Sequence, residues 1–485
     1  MDPRISLCLI VRDEAESLGA CLDAARDAAD EIVVVDTGSV DGSVEIARSR
    51  GAIVVEEPWR DDFSAARNAG LERATGDFVL VLDADELLAP GGAALIRDAV
   101  KAPSLVGGYL PIVNVFDSGE RLTALILRLF RNDESVRFSN RIHEQVLEPL
   151  IALAERTGGT FAIVKAPVVH DGYRESLVAA RGKDERNRRL FELQVRERPD
   201  DPYSWYKYAD FLRRAAPKEK ASEAMRRALE CLRAARPERR KMMPYAGEVF
   251  ALLALGEIEA GRTAEAAALV AEGFEGTTPT AHLHFAKAVV ALREGRLAEA
   301  EASFEECVRN RDLASLMPAQ PGVTGFRSHH GIGAARFARG DREGAKAAFL
   351  AALRDNPRAR DSALALVHIA REEGDAKEAM SRLHGIVRED PEDAEAWTLG
   401  GEILLRLGLL ARADQWLAHA AGPRSAFLAG VSRLRAGDPA GALERFRLHP
   451  DDPMCRYGVE FVTSPGAAPV NGPAEAVNWF AAKNA

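Results

Sequence analysis

Glycines recur at a spacing of 34 residues in the second half of the chain, from Gly261 to Gly295 and again from Gly340 through Gly374 to Gly408. Five residues after each stands an alanine (Ala266, Ala300, Ala345, Ala379, Ala413), and nine after each stands a larger apolar residue (Val270, Phe304, Phe349, Leu383, Leu417). A degenerate unit starts at Gly437, with Ala442 and Phe446 at the same offsets, and Pro357 and Pro391 are also 34 apart. From about Glu175 onward the chain is rich in Ala, Leu, Arg and Glu, the composition of helices. A period of this length constrains the fold strongly, because each unit is too small to bury its apolar face alone and must stack on the next. The interval from Gly295 to Gly340 is 45, so an insertion lies there, in a stretch that holds His329-His330.

Small residues at helix crossings with this period resemble the tetratricopeptide repeat, and Asp201-Pro-Tyr-Ser-Trp-Tyr-Lys-Tyr-Ala-Asp-Phe-Leu212 resembles the start of an earlier unit. The resemblance implies an all-α solenoid in which the periodic positions are core and polar positions of the inner helices bind partners.

The first half has a different grammar. Short β-rich runs at Ile5 to Val11, Glu31 to Val35, Ala52 to Val55 and Asp77 to Leu82 alternate with helical stretches at Glu14 to Ala28 and Gly42 to Ser49. Nearly continuous apolar strands joined by helices predict an α/β domain with a mostly parallel, Rossmann-like sheet covered on both faces. Ligands of such sheets bind beyond the carboxyl ends of the strands, so the polar residues after each run are the candidates for function. The organisation read from the chain is an α/β domain at 1–173, a linker helix at 174–198, helical repeats at 199–450 and a C-terminal tail at 451–485.

Composition excludes several classes. Lys and Arg number 64 against 74 Asp and Glu, a net charge of −10 without the basic stripe a nucleic-acid partner requires. The five cysteines are scattered and form no CxxC pair, which predicts a reducing compartment and no zinc site. The first apolar run follows Asp2 without a basic leader, and the longest apolar runs are about half a membrane span. The expected location is the cytoplasm, with no integral membrane segment.

The chemistry concentrates at Asp83-Ala-Asp85-Glu86, directly after the fourth run. Carboxylates at i and i+2 beyond a buried strand are costly unless something cationic neutralises them, and a divalent metal carrying a diphosphate would do so. Alone, such a DxD is as readily a turn that caps a helix. It is preceded, however, by Val11-Arg-Asp-Glu14, Asp36-Thr-Gly-Ser-Val-Asp-Gly-Ser43, Trp59 and Asp62-Phe-Ser-Ala-Ala-Arg-Asn68. In this order the motifs resemble family 2 glycosyltransferases of the GT-A fold, over Ile5 to about Glu86. Ile142-His-Glu144 and Val169-His-Asp-Gly-Tyr173 resemble the subset with a tetratricopeptide tail, which includes enzymes that glycosylate peptides or proteins and others assigned to cell-surface glycans.

The resemblance implies roles for individual residues. Asp36 corresponds to the carboxylate that meets the nucleotide base, commonly uracil, although Thr37 stands where many members have a second Asp. Asp83 corresponds to the residue near the ribose, Asp85 to the ligand of Mn²⁺ or Mg²⁺ that bridges to the diphosphate, and Arg67 to a helix position facing the donor. Glu144, after the variable acceptor segment Gly107 to Asn140, falls where the family's catalytic base tends to lie. His170, late in the domain, is the candidate second metal ligand; its ordinary alternative is a hydrogen-bonded structural residue.

The function expected is a metal-dependent, inverting glycosyltransferase that moves a sugar from a nucleotide-diphosphate donor, a UDP-sugar by resemblance. Concave repeat surfaces commonly bind extended peptides, which favours a peptide or protein side chain as acceptor. The competing readings are transfer to a cell-surface glycan or lipid-linked acceptor, a non-catalytic nucleotide-sugar-binding scaffold that recruits proteins, and an enzyme whose repeats form a homodimer.

Overall fold

A computed structural model describes residues 2–115, 121–170, 177–311, 316–317, 320 and 322–464. The strands are β1 (Ile5–Val11), β2 (Glu31–Asp36), β3 (Ile53–Glu56), β4 (Phe78–Val81), β5 (Glu86–Leu88), β6 (Leu105–Val115), β7 (Arg121–Arg131), β8 (Thr160–Ile163) and β9 (Val168–His170). They form one sheet in the order β3-β2-β1-β4-β7-β6-β9-β5, with β8 also paired to β6. Strands β3, β2, β1 and β4 run parallel, whereas β7 is antiparallel to β4 and to β6.

Both faces of the parallel part are covered, which explains why its strands carry almost no polar residues. Leu7, Leu9 and Val11 of β1 meet Leu18 and Leu22 of helix α1 (Leu18–Ala25) together with Ile32 and Val34. On the other face Cys8 and Val33 meet Val79, Val81, Leu71 and Phe130. Helices α2 (Ser43–Ser49), α3 (Phe63–Arg73), α4 (Gly92–Ala99) and α5 (Leu147–Thr157) complete this part. Helix α3 starts at Asp62, whose carboxylate accepts from Ala65 N at 3.0 Å.

Two stretches differ from the sequence reading. The variable segment Gly107 to Asn140 contributes the paired strands β6 and β7, masked in the sequence by Gly107-Gly108 and Pro111, which read as turn residues. The apolar run Phe161 to Val169 is divided between β8 and β9, with Pro167 between them. Asp171, Gly172 and Tyr173, named in the sequence motif, lie outside the described residues.

Helices follow from α6 (Leu177–Glu197) through α7 (Pro202–Ala215), α8 (Lys218–Ala234), α9 (Pro237–Met242), α10 (Ala246–Glu259), α11 (Thr263–Gly276), α12 (Ala281–Arg293) and α13 (Leu297–Arg309). The remainder are α14 (Phe326–Ala338), α15 (Arg342–Asp355), α16 (Arg360–Glu372), α17 (Ala376–Glu389), α18 (Ala394–Arg406), α19 (Leu410–Leu417), α20 (Pro423–Arg435), α21 (Pro439–Phe446) and α22 (Pro453–Thr463), the last within the expected tail. The chain divides into two units. One holds Met1–Gly295 and Arg309–Thr324, and the other holds Arg296–Val308 and Gly325–Ala485. The sheet, α6 and α7 thus belong to the same unit.

The periodic residues behave as the 34-residue spacing predicts. The turn glycines adopt left-handed φ, for example +77° at Gly374 and +74° at Gly408, which a residue with a Cβ adopts only at a cost. The alanines five residues on are fully buried, and Phe304, Phe349, Leu383 and Leu417 fill the core beside them. Trp205 Nε1 donates to Pro199 O and Trp397 Nε1 to Pro391 O, each at 2.8 Å and each six residues back. This shared device marks α7 as the start of a repeat unit. His329 and His330, in the stretch of the insertion, meet Asp355 at 3.4 Å and Ser362 at 3.0 Å.

Asp393 shows how the units are joined. Its carboxylate caps α18 by accepting from Ala396 N at 3.0 Å and takes two hydrogen bonds from Arg360 at 2.6 and 2.9 Å. The bond to Arg360 holds the carboxyl below the usual carboxylate range, so its stabilisation is present above the unfolded pKa of about 3.9 and lost as pH falls through the lower folded value. Asp393→Asn keeps a capping oxygen but loses the charge. It is expected to cost about 1–2 kcal/mol at pH 7 in urea unfolding, with the gap to the unchanged chain closing on acidification; a gap independent of pH would contradict this origin.

Candidate active site

The loops after β1, β2 and β4 lie at the carboxyl edge of the parallel strands, and the first two are tied to one another. Asp13 N donates to Ser39 Oγ at 2.9 Å, Val40 N donates to Asp13 Oδ1 at 2.7 Å, and Glu14 N donates to Ser43 Oγ at 2.8 Å. Asp13-Glu14 therefore knits two loops together. Asp36, at the end of β2, is buried, and its carboxylate accepts from Gly38 N at 3.0 Å and from Ser39 N. Thr37 turns its hydroxyl back onto Val11 O at 3.0 Å and so presents no carboxylate beside Asp36.

Asp83 is the centre of an ion network. Its Oδ1 accepts from Arg67 Nη2 at 2.6 Å and its Oδ2 from Arg128 Nη2 at 2.7 Å. Arg128 also donates to Glu86 Oε1 at 2.5 Å, and Arg67 Nε donates to Glu144 Oε1 at 2.9 Å. Glu86 Oε2 in turn accepts from Asp83 N at 2.9 Å. Arg67 is buried and Arg128 nearly so, and two guanidinium groups out of water require this many carboxylates around them. Burial works to raise the pKa of Asp83, but Arg128 and Arg67 outweigh it and hold the carboxyl well below the usual range. Burial opposes the charge on both arginines, yet their carboxylate partners keep them firmly protonated. Glu86, the more deeply buried, is pushed up by desolvation.

Arg128 escaped the sequence reading, and the reason is local. Gly108 pairs with Leu129 and Tyr109 with Leu127, so Arg128 is the extra residue of a β-bulge in β7. Bulges re-aim a side chain, and this one aims a cation at Asp83. A single arginine inside the apolar run Leu125-Ile-Leu-Arg-Leu-Phe130 is the signal that marks it.

Asp85 and His170 are brought together by sheet register. Strands β5 and β9 pair Glu86 with His170, and β6 pairs Asn114 with the same histidine. His170 Nε2 lies 3.3 Å from Asp85 Oδ2, while Nδ1 is held 2.9 Å from Asn114 Oδ1. The hydrogen bond to Asp85 raises the histidine pKa against partial burial. Among the described residues no group of three or more His, Cys, Asp or Glu is gathered as a metal site. An exposed carboxylate and an oriented imidazole are nevertheless suitable donors for one cation whose other ligands come from outside the protein.

Glu144 stands three residues before α5. It lies in a hairpin closed by Ser139 and Gln145, whose backbones exchange hydrogen bonds of 2.9 and 2.8 Å. Within it Asn140 and His143 have φ of +84° and +53°, strained for residues with a Cβ by about 1–3 kcal/mol each. His143 stacks on Phe191. Asn68, next to Arg67 on α3, holds the entry to the hairpin through two hydrogen bonds with Phe138.

Residues 6–131 match the model of glycosyl transferase family 2, and residues 281–311, 336–403 and 370–423 match models of the tetratricopeptide repeat. The chain joins a family 2 glycosyltransferase domain to tetratricopeptide repeats. A TPR repeat-containing protein of Synechococcus elongatus is 38% identical over 202 residues, covering 41% of this chain and 50% of that protein. The SPbeta prophage-derived glycosyltransferase SunS of Bacillus subtilis is 29% identical over 205 residues, 41% of this chain and 47% of that protein. An uncharacterized glycosyltransferase of Rickettsia prowazekii is 32% identical over 85 residues, 18% of this chain and 29% of that protein. The chain thus spans about half the length of the first two relatives.

The glycosyltransferase domain depends on Arg128 for its folded state. Arg128→Met leaves Glu86 and one oxygen of Asp83 without their cation, and is expected to cost about 3–5 kcal/mol in urea unfolding. Adding Glu86→Gln should recover part of that loss, and a loss below about 1 kcal/mol in the single variant would contradict the network.

Proposed function

We propose that the chain transfers a sugar, with inversion at the anomeric carbon, from a nucleoside diphosphate donor to an acceptor presented through its repeats. The observation that carries this reading is the convergence of Asp36, Asp83, Asp85, His170 and Glu144 on the loops around one sheet edge, where α/β folds bind nucleotides. Asp36 is the group offered to the base, with uracil as the expected partner. Its oxygens retain acceptor capacity beyond the two loop N–H groups. Asp83 is offered to the ribose, and Arg67 serves to hold Asp83 and Glu144 in place.

Charge counting supports a cation. Asp83, Glu86 and Glu144 meet Arg67 and Arg128 while Asp85 meets His170, four carboxylates against two guanidinium groups and one imidazole, a surplus of at least one negative charge when the carboxylates are ionised. Asp85 and His170 would hold Mn²⁺ or Mg²⁺, which supplies Lewis-acid stabilisation of the leaving diphosphate. The acceptor nucleophile attacks the anomeric carbon from the face opposite the diphosphate, the bond to the β-phosphate oxygen breaks, and the acceptor proton passes to Glu144. Oε1 of Glu144 is engaged by Arg67, and Oε2 is the oxygen left for the proton. A peptide or protein side chain is the favoured acceptor class, because a tetratricopeptide array commonly binds extended chains.

Glu144→Gln removes the base and keeps the shape. It is expected to lower turnover by about 10²–10⁴-fold in a UDP-sugar hydrolysis or transfer assay while donor affinity, read by calorimetry, stays within about threefold. Near-normal turnover would remove Glu144 from this role.

A further inference from the structure

We infer that α6 and α7 form part of the catalytic machinery, holding the hairpin that carries Glu144 in its working shape, with Gln194 and Tyr203 as positioning residues. The inference rests on the reading of Glu144 as the base. The hairpin cannot hold itself: it contains two strained left-handed residues and no glycine between Ser139 and Gln145. Its support comes residue by residue from the helices.

Arg198, just past α6, donates to Asn140 Oδ1. Arg141 makes a two-pronged ion pair with Glu197, both bonds 2.7 Å. Ile142 N donates to Gln194 Oε1 at 3.0 Å, and Gln194 Nε2 is itself held by Ser204 Oγ at 2.8 Å. His143 stacks on Phe191 with ring centres 5.7 Å apart, and Gln145 Nε2 donates to Tyr203 OH at 2.9 Å. Of the six residues from Asn140 to Gln145, Glu144 reaches the other way, to Arg67 on α3, and Arg141 reaches both ways, its carbonyl accepting from Phe63 N of α3 at 2.9 Å. Gln194 is 1% exposed and carries an amide deep among Leu190, Phe191 and Tyr206, a placement that is costly unless both its ends are used.

The same helices reach a second strained point. Asp61, with φ of +57°, accepts from Arg189 of α6, and Arg141 Nη1 donates to Asp61 O at 3.1 Å. Asp61 immediately precedes the capping residue of α3, the helix that supplies Arg67. The positions of Glu144 and of the guanidinium beside it are therefore both set by the helical segment. The family match ends at residue 131, before the hairpin, so the part of the site that holds the base is assembled from outside it.

The test uses the full chain with Gln194→Ala and, as the conservative variant, Tyr203→Phe. Amide exchange over residues 139–145 is measured by mass spectrometry, UDP binding with Mn²⁺ by calorimetry, and UDP release on the fastest of UDP-glucose, UDP-galactose and UDP-N-acetylglucosamine. The expected result is exchange at least tenfold faster over 139–145, kcat at least tenfold lower, and donor KM and UDP affinity within twofold. Unchanged exchange over 139–145 in both variants would overturn the clamp, as would faster exchange with kcat intact. If Gln194→Ala does not fold, Tyr203→Phe decides by the same criteria. Exchange is read without turnover, so failure of the clamp is told apart from failure of the Glu144 reading, in which Glu144→Gln would retain full activity and the positioning role would fall with it.

Discussion

The two hydrogen bonds that Asp83 accepts from Arg67 and Arg128 are the interaction on which the α/β part of the structure depends. Each guanidinium is out of water, and each is stable there only because a carboxylate meets it at 2.6–2.7 Å. The network joins four elements that are distant in sequence: Arg67 on α3, Asp83 and Glu86 around β5, Arg128 in the bulge of β7, and Glu144 in the hairpin. Because Asp83 stands two residues before Asp85, the charges that anchor the fold also fix the backbone that carries this exposed carboxylate. Register then brings His170 to it. Stability and site geometry therefore share the same atoms.

Much of the fold was legible in the sequence, since burial on both faces leaves unbroken apolar strands and a 34-residue period leaves repeated Gly and Ala positions. Ile5–Val11 and the turn glycines are found where the pattern puts them. What escaped was long-range and irregular. Strands β6 and β7 contain residues that locally signal turns, and their pairing is a tertiary outcome. Arg128 enters the site only through a register slip that no local pattern encodes. The juxtaposition of Asp85 and His170, 85 residues apart, follows from β5 pairing with β9, which spacing does not reveal. Glu144 and Arg67 were each named from the sequence, but their contact was not.

The division of the chain also takes a different meaning in three dimensions. The sequence separates an α/β domain, a linker helix and repeats by their composition, and this suggests modules that act in series. In the structure α6 and α7 belong to the same unit as the sheet, and together with Arg198 between them they contact five of the six residues from Asn140 to Gln145. Repeat arrays are usually read as recruiting surfaces. Here α6 and α7 are also structural neighbours of the hairpin that carries Glu144.

The central claim is that the acidic edge of the sheet is a site for a nucleoside diphosphate and a divalent cation together. Calorimetric titration of the full chain with UDP, with and without Mn²⁺, tests it most directly. The account predicts binding that tightens at least tenfold when Mn²⁺ is present and that loses this gain in Asp85→Ala. Binding of equal strength with and without the metal, or no binding of UDP at all, would contradict it.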